Sequence, residues 1–244
     1  MRIFIRSFLT ACVLMIALSP AFAQNVLGPV GGQTSGQIIQ LFGLLSVLAI
    51  APGILVMVTC FPRFIIVFSI LRSGIGLQST PANIILISLS LFMTFYVMSP
   101  VLDNAWKSGI QPLMAEQIDE ETAFQRTLEP FRGFMEKNVR DKDIDLFTDL
   151  AEERGQVVRN DAGVVDIRVL IPAFMISEIR RGFEIGFLVV LPFLVIDLIV
   201  ATIVMAMGMM MLPPSVVSLP FKILFFVMID GWNILVGNLV RSVI

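Results

Sequence analysis

Histidine is absent from the 244 residues. That removes the commonest general base and the commonest metal ligand, and counts against most hydrolase and metalloenzyme chemistry. Charge is scarce as well: Asp, Glu, Lys and Arg make up 15% of the chain, against about 25% in soluble domains. The net charge of −2 gives no reason to expect nucleic acid as a partner. Only two cysteines are present. Cys12 falls in an N-terminal leader, residues 1–23, so Cys60 stands alone in an apolar run, where a lone thiol behaves as a small hydrophobe. What replaces the missing groups is hydrocarbon. Hydrophobic residues form 57% of the chain, and a soluble monomer of that composition would expose large sticky patches. The sequence is that of a membrane protein.

Residues 1–23 read as a cleaved signal peptide. Arg2 and Arg6 form a basic start, residues 8–18 an apolar core, and Ala21, Phe22 and Ala23 a small-x-small cleavage site. Eleven apolar residues are too few to cross about 30 Å of hydrocarbon. Cleavage between Ala23 and Gln24 leaves the mature start outside the cytoplasm.

Residues 24–40 are uncharged and rich in Gly and Gln, a flexible lead-in. A first hydrophobic hairpin follows over 41–102. In it Arg63 closes one apolar stretch, a turn with Arg72, Gly74, Gly76 and Pro81 follows, and a second stretch starts at Asn83. Residues 103–184 form a polar insert holding 17 acidic and 11 basic residues, 28 of the 36 charges. A second hydrophobic hairpin spans 185–244, turning at Pro213 and Pro214. An exported start places the insert outside and both turns inside. Arg63 and Arg72, with no acidic residue in the 63–81 turn, agree with the positive-inside rule. Within the insert, Phe124, Leu128, Phe131, Phe134, Met135 and Val139 recur at helical spacing, and Ile144, Phe147 and Leu150 predict a second amphipathic helix. Prolines at 52, 62, 81, 100, 192 and 220 break the hairpins. Broken helices are tolerated where backbone is covered by protein, which favours an oligomer.

Several constellations invite a chemical reading. Residues 141–152 match a calcium-loop pattern at positions 1, 3, 5, 9 and 12, but position 6 carries Leu146 where the sharp turn needs Gly. Acidic residues opening a helix account for the same run, so no metal site is expected. Asp197 and Asp230 are lone carboxylates in apolar segments. They read as a proton relay or cation site, or as hydrogen-bonded ion pairs with Lys222 or Arg241, the reading favoured here. Gly182 and Gly186 form a GxxxG step that permits close helix approach. Glu178, Arg180, Arg181 and Glu184 would form a charged collar at the membrane boundary. Met205, Met207, Met209, Met210 and Met211 put five pliable side chains within seven residues, next to a turn. They suit either gap-filling or an apolar constriction that gates a pore.

Residues 172–187, from Pro172 through Phe174, Glu178, Gly182, Phe183 and Gly186 to Phe187, resemble the first signature of the FliP family of flagellar type III export-gate proteins. Residues 192–200, with Pro192 and Asp197, resemble the second, and residues 208–214 resemble the family's methionine-rich loop. The resemblance implies an all-α membrane protein whose two hairpins flank a mostly helical extracytoplasmic insert and pack into a helical oligomeric cone. By the same resemblance that cone holds five copies with FliQ-like and FliR-like subunits. It is largely raised out of the bilayer plane within the basal body, beside other export-apparatus proteins. The implied function is a pore in the bacterial inner membrane for unfolded flagellar components, without enzymatic activity or cofactor. Met209, Met210 and Met211 would seal its channel, and the signature residues would carry subunit packing. The alternative from another class is a small proton-coupled transporter using Asp197 and Asp230.

Overall fold

The structure is a computed structural model that describes residues 41–43, 45–46, 49–50, 53–54, 56–155, 165–209 and 212–244. The signal peptide, Ala23 and Gln24 included, and the lead-in lie outside the described residues. The chain divides into two compact units, Met1–Pro52 and Gly53–Ile244. In the first, the described residues from 41 to 50 are helical and exposed.

The second unit is built from helices, numbered here from Phe61. They are α1 (Phe61–Ile75), α2 (Asn83–Ala105), a π-helical turn π1 (Trp106–Ile110), α3 (Gln111–Met114) and α4 (Glu120–Asn138). The order continues with α5 (Asp141–Glu152), α6 (Ile167–Ala206), α7 (Pro214–Met228) and α8 (Gly231–Arg241). The all-α expectation holds, and the two helices read in the insert are α4 and α5. Asp119 caps α4 by accepting from the Thr122 amide, which satisfies one of the free N–H groups at a helix start. The suspected calcium loop is helix α5 throughout. Asp141 and Asp143 lie in its first turn, where a carboxylate complements the helix dipole.

Among the described residues two helical stretches are long and apolar enough to cross a membrane, Asn83–Met114 and Ile167–Ala206. The pair α7 and α8, bent by 65° at its break, makes a third if counted as one span. Asp230 occupies that break with a left-handed φ of 52°. At 15 residues α1 reaches about 22 Å, short of the roughly 30 Å of hydrocarbon. By contrast α6 has 40 residues and runs about 60 Å. It passes without interruption through residue 184, where composition marks the end of the insert. Polar residues on one half and apolar ones on the other are equally compatible with helix, so the change in hydropathy leaves no mark on the backbone.

The core lies where α1 packs on the first half of α6. Phe64, Val67, Phe68 and Leu71 meet Leu170, Ala173 and Phe174, with Met98 of α2, Met135 of α4 and Leu239 of α8 closing around them. Each of these is at most 2% exposed. Gly182 and Gly186 bring the helices together: a β-carbon on Gly182 would sit 3.1 Å from Ile66, and one on Gly186 2.6 Å from Ile70. The GxxxG step thus serves contact within one subunit.

Two charges differ from the sequence expectation. Arg63 does not end a helix in a solvated turn. It belongs to the first turn of α1, with no exposed surface, and its guanidinium holds the Glu178 carboxylate through Nε at 2.8 Å and through Nη2. Its Nη1 donates to the Ser242 carbonyl at 2.6 Å. Glu178 therefore leaves the collar, whose exposed pair is Arg180–Glu184 at 2.8 Å, and the positive-inside count is left with Arg72. The cause is the partner 115 residues away: a buried guanidinium is tolerable only where a carboxylate meets it.

Candidate functional site

The second hairpin turns at a methionine-rich tip. Helix α6 closes in a Schellman motif, with Gly208 N–H donating to the Met205 carbonyl at 3.0 Å and Met209 N–H to the Val204 carbonyl at 3.2 Å. Gly208 holds the left-handed φ of 73° that this cap requires. Pro214 then starts α7 at the first helical position, where its missing N–H costs nothing. Met205, Met207 and Met209 are 57%, 58% and 38% exposed. Met210 and Met211 lie outside the described residues.

Below the tip, α6 and α7 leave an apolar groove of about 470 Å³, lined among others by Ile199, Val200, Ile203, Met207, Val217 and Phe221. One helical turn further down the hairpin is pinned by polar groups. Lys222 Nζ of α7 lies 2.5 Å from Asp197 Oδ2 of α6 and 3.0 Å from the Gly74 carbonyl at the end of α1. Ser218 Oγ donates to Asp197 Oδ1 at 2.5 Å. The Lys222 side chain is 5% exposed and that of Asp197 36%. Asp197 is thus engaged as an ion pair, the arrangement favoured from sequence. Asp230 stands apart from it at the α7–α8 break.

A third polar contact fastens the insert to α6. Arg140 donates from Nε and Nη2 to both oxygens of Asp143 at 3.0 Å, and Ser177 Oγ lies 2.5 Å from Asp143 Oδ2. The Arg140 hydrogen bonds, helped by Ser177, hold the Asp143 carboxyl below its ordinary value of 3.8.

The sequence as a whole is similar to known proteins. The FliP family profile matches residues 44–239. The chain is 70% identical over 213 residues to the flagellar biosynthetic protein FliP of Agrobacterium fabrum, covering 87% of this chain and 86% of that one. With the protein of the same name from Rhizobium meliloti it shares 63% over 243 residues, 97% and 99% of the two chains. With that of Bacillus subtilis it shares 44% over 204 residues, 84% and 91%. The chain belongs to the FliP family.

The residues that resemble family signatures divide by exposure. Phe174 is fully buried, edge-on to Phe134 at 5.9 Å between ring centres, and Glu178 pairs with Arg63. Gly182 and Gly186 face α1, while Phe183 and Phe187 point away from it, 57% and 58% exposed. Pro192 is half-buried inside α6, beside Phe193, whose ring meets those of Phe225 and Phe226 at 6.1 Å. Sequence reasoning missed Arg63 and the Arg140–Asp143–Ser177 contact. The carboxylate that meets Arg63 is 115 residues away and Ser177 is 34 residues from Asp143, so neither contact has a local signal, although Arg140 and Asp143 are an i,i+3 pair.

Proposed function

We propose that this FliP-family chain is a pore-forming subunit of the flagellar type III protein export gate in the bacterial inner membrane. Unfolded flagellar components pass through the pore, and the subunit itself does no bond chemistry. Five copies form the ring with FliQ-like and FliR-like subunits, inside the basal body and against other export-apparatus proteins. The polar insert lies on the periplasmic side. Met209, Met210 and Met211 close the channel as a deformable gasket, since unbranched thioethers adapt to irregular gaps and apolar constrictions exclude water.

The observation that carries this reading is the apolar surface that one subunit leaves uncovered on the half of α6 leading to the tip. Phe183, Phe187, Leu188, Leu194, Val195 and Leu198 are each 49–66% exposed. That surface supports burial against lipid or sister subunits, with the methionine tip at its end. A photo-crosslinker placed at Met209 in the assembled gate tests it. Capture of an exported chain arrested in transit is expected, and capture of none would contradict the pore.

A further inference from the structure

The second hairpin is not held equally along its length. From Asp197 away from the tip it is clamped. Phe193 of α6 sits against Phe225 and Phe226 of α7 with ring centres 6.1 Å apart. A β-carbon on Gly74, in the last turn of α1, would run into the Val190 side chain of α6, so α1 presses directly on the hairpin. Lys222 Nζ joins all three helices, 2.5 Å from Asp197 Oδ2 and 3.0 Å from the Gly74 carbonyl. Ser218, fully buried, donates to the other oxygen of Asp197.

Beyond that anchor the arms carry no polar tie. Residues 198–206 of α6 extend about 14 Å past Asp197. Among the described residues no hydrogen bond or ion pair joins them to α7, and the Thr202 hydroxyl turns back on the Ile199 carbonyl of its own helix. The apolar groove of about 470 Å³ separates the arms instead, with Val200, Ile203 and Met207 on one wall and Val217 and Phe221 on the other. Ile203, Met207 and Phe221 are exposed, whereas Phe193 and Phe226 on the far side of the anchor are buried. A segment with so few buried contacts moves at low cost in free energy. When the walls of an apolar gap approach, no hydrogen bond is lost and dispersion contact is gained.

We infer that the cluster of Gly74, Asp197, Ser218 and Lys222 is a fulcrum, and that the groove is the space into which the outer arms of α6 and α7 close when the methionine tip gives way. Hinge motions of this kind pivot on a few residues while the packed elements on either side stay rigid. Closing the groove displaces Met207 and Met209 together with their backbone, a larger movement than thioether pliability alone supplies. The groove would also accept a side chain from a second copy, but its place between an anchored base and an untied tip favours movement. The inference rests on the pore reading, because a chain in transit is what pushes the tip.

Ile203→Cys with Val217→Cys puts one thiol on each wall of the groove, and Cys60, buried in the core, does not compete. Oxidation of the assembled gate is followed in membranes, with the channel empty and with an exported chain arrested in it. A disulfide within one subunit should form several-fold faster with the chain arrested, since two cysteines join only where their Cα atoms come within about 7 Å. Val217→Phe fills the groove and leaves the anchor untouched. It should assemble and stay tight to ions but export several-fold more slowly, and adding Ile203→Ala should restore the rate. An oxidation rate indifferent to the arrested chain, a disulfide linking two copies, or unchanged export in Val217→Phe would each overturn the fulcrum. Failure of a crosslinker at Met209 to capture the arrested chain would instead overturn the pore reading beneath it.

Discussion

Arg63 of α1 and Glu178 of α6, 115 residues apart, form a two-pronged ion pair with neither side chain exposed. Removing one partner strands the other charge in the core at a cost of about 3–5 kcal/mol, whereas replacing both with apolar groups of similar volume is often neutral. Arg63→Ala is expected to abolish recovery of folded protein, and Arg63→Met with Glu178→Leu to restore most of it. Thermal unfolding in detergent checks both.

The glycine face of α6 gives a second expectation. Gly186→Val would drive a branched side chain into Ile70 and should destabilise by about 1–3 kcal/mol. Gly237→Ala meets nothing within 4 Å, and should be neutral or stabilising by up to about 1 kcal/mol. Comparing the two melting temperatures separates lost contact from a general effect of replacing glycine.

The contact between insert and α6 depends on pH. Because Arg140 lowers the Asp143 carboxyl in the folded state, the stability it contributes is fully present above that carboxyl's ordinary value of 3.8. That contribution fades as pH falls through the lower folded value. Unfolding midpoints measured from pH 6 down to pH 3 should stay level first and then drop at the acid end. Asp143→Asn should remove that part of the drop and lower the midpoint at neutral pH.

Asp197 and Lys222 separate a structural role from transport. Asp197→Asn leaves the nearly buried Lys222 without its countercharge, and the yield of assembled complex should fall. Pairing it with Lys222→Met should recover both assembly and export. A proton-coupled transporter would behave oppositely, with Asp197→Asn assembling normally and export staying lost in the double variant.

How far the sequence revealed the molecule varies by residue. Helices α4 and α5 were legible because one face of each is apolar at helical spacing. The close approach at Gly182 and Gly186 was legible from spacing, although its partner, α1, was not. Arg63 was misread because a charge at the edge of an apolar run looks solvated until its carboxylate is found 115 residues on. The length of α6 was hidden because hydropathy changes at residue 184 while helix formation does not. At the methionine tip, sequence indicated the turn, and the structure adds the Schellman cap at Gly208 and the groove and pin beneath it.

The gasket is the central claim, and ion leakage measures it most directly. With Met209, Met210 and Met211 replaced by Ala, the complex should assemble in normal yield and membranes carrying it should conduct small ions. Tight membranes with unchanged export in the assembled variant would contradict the account.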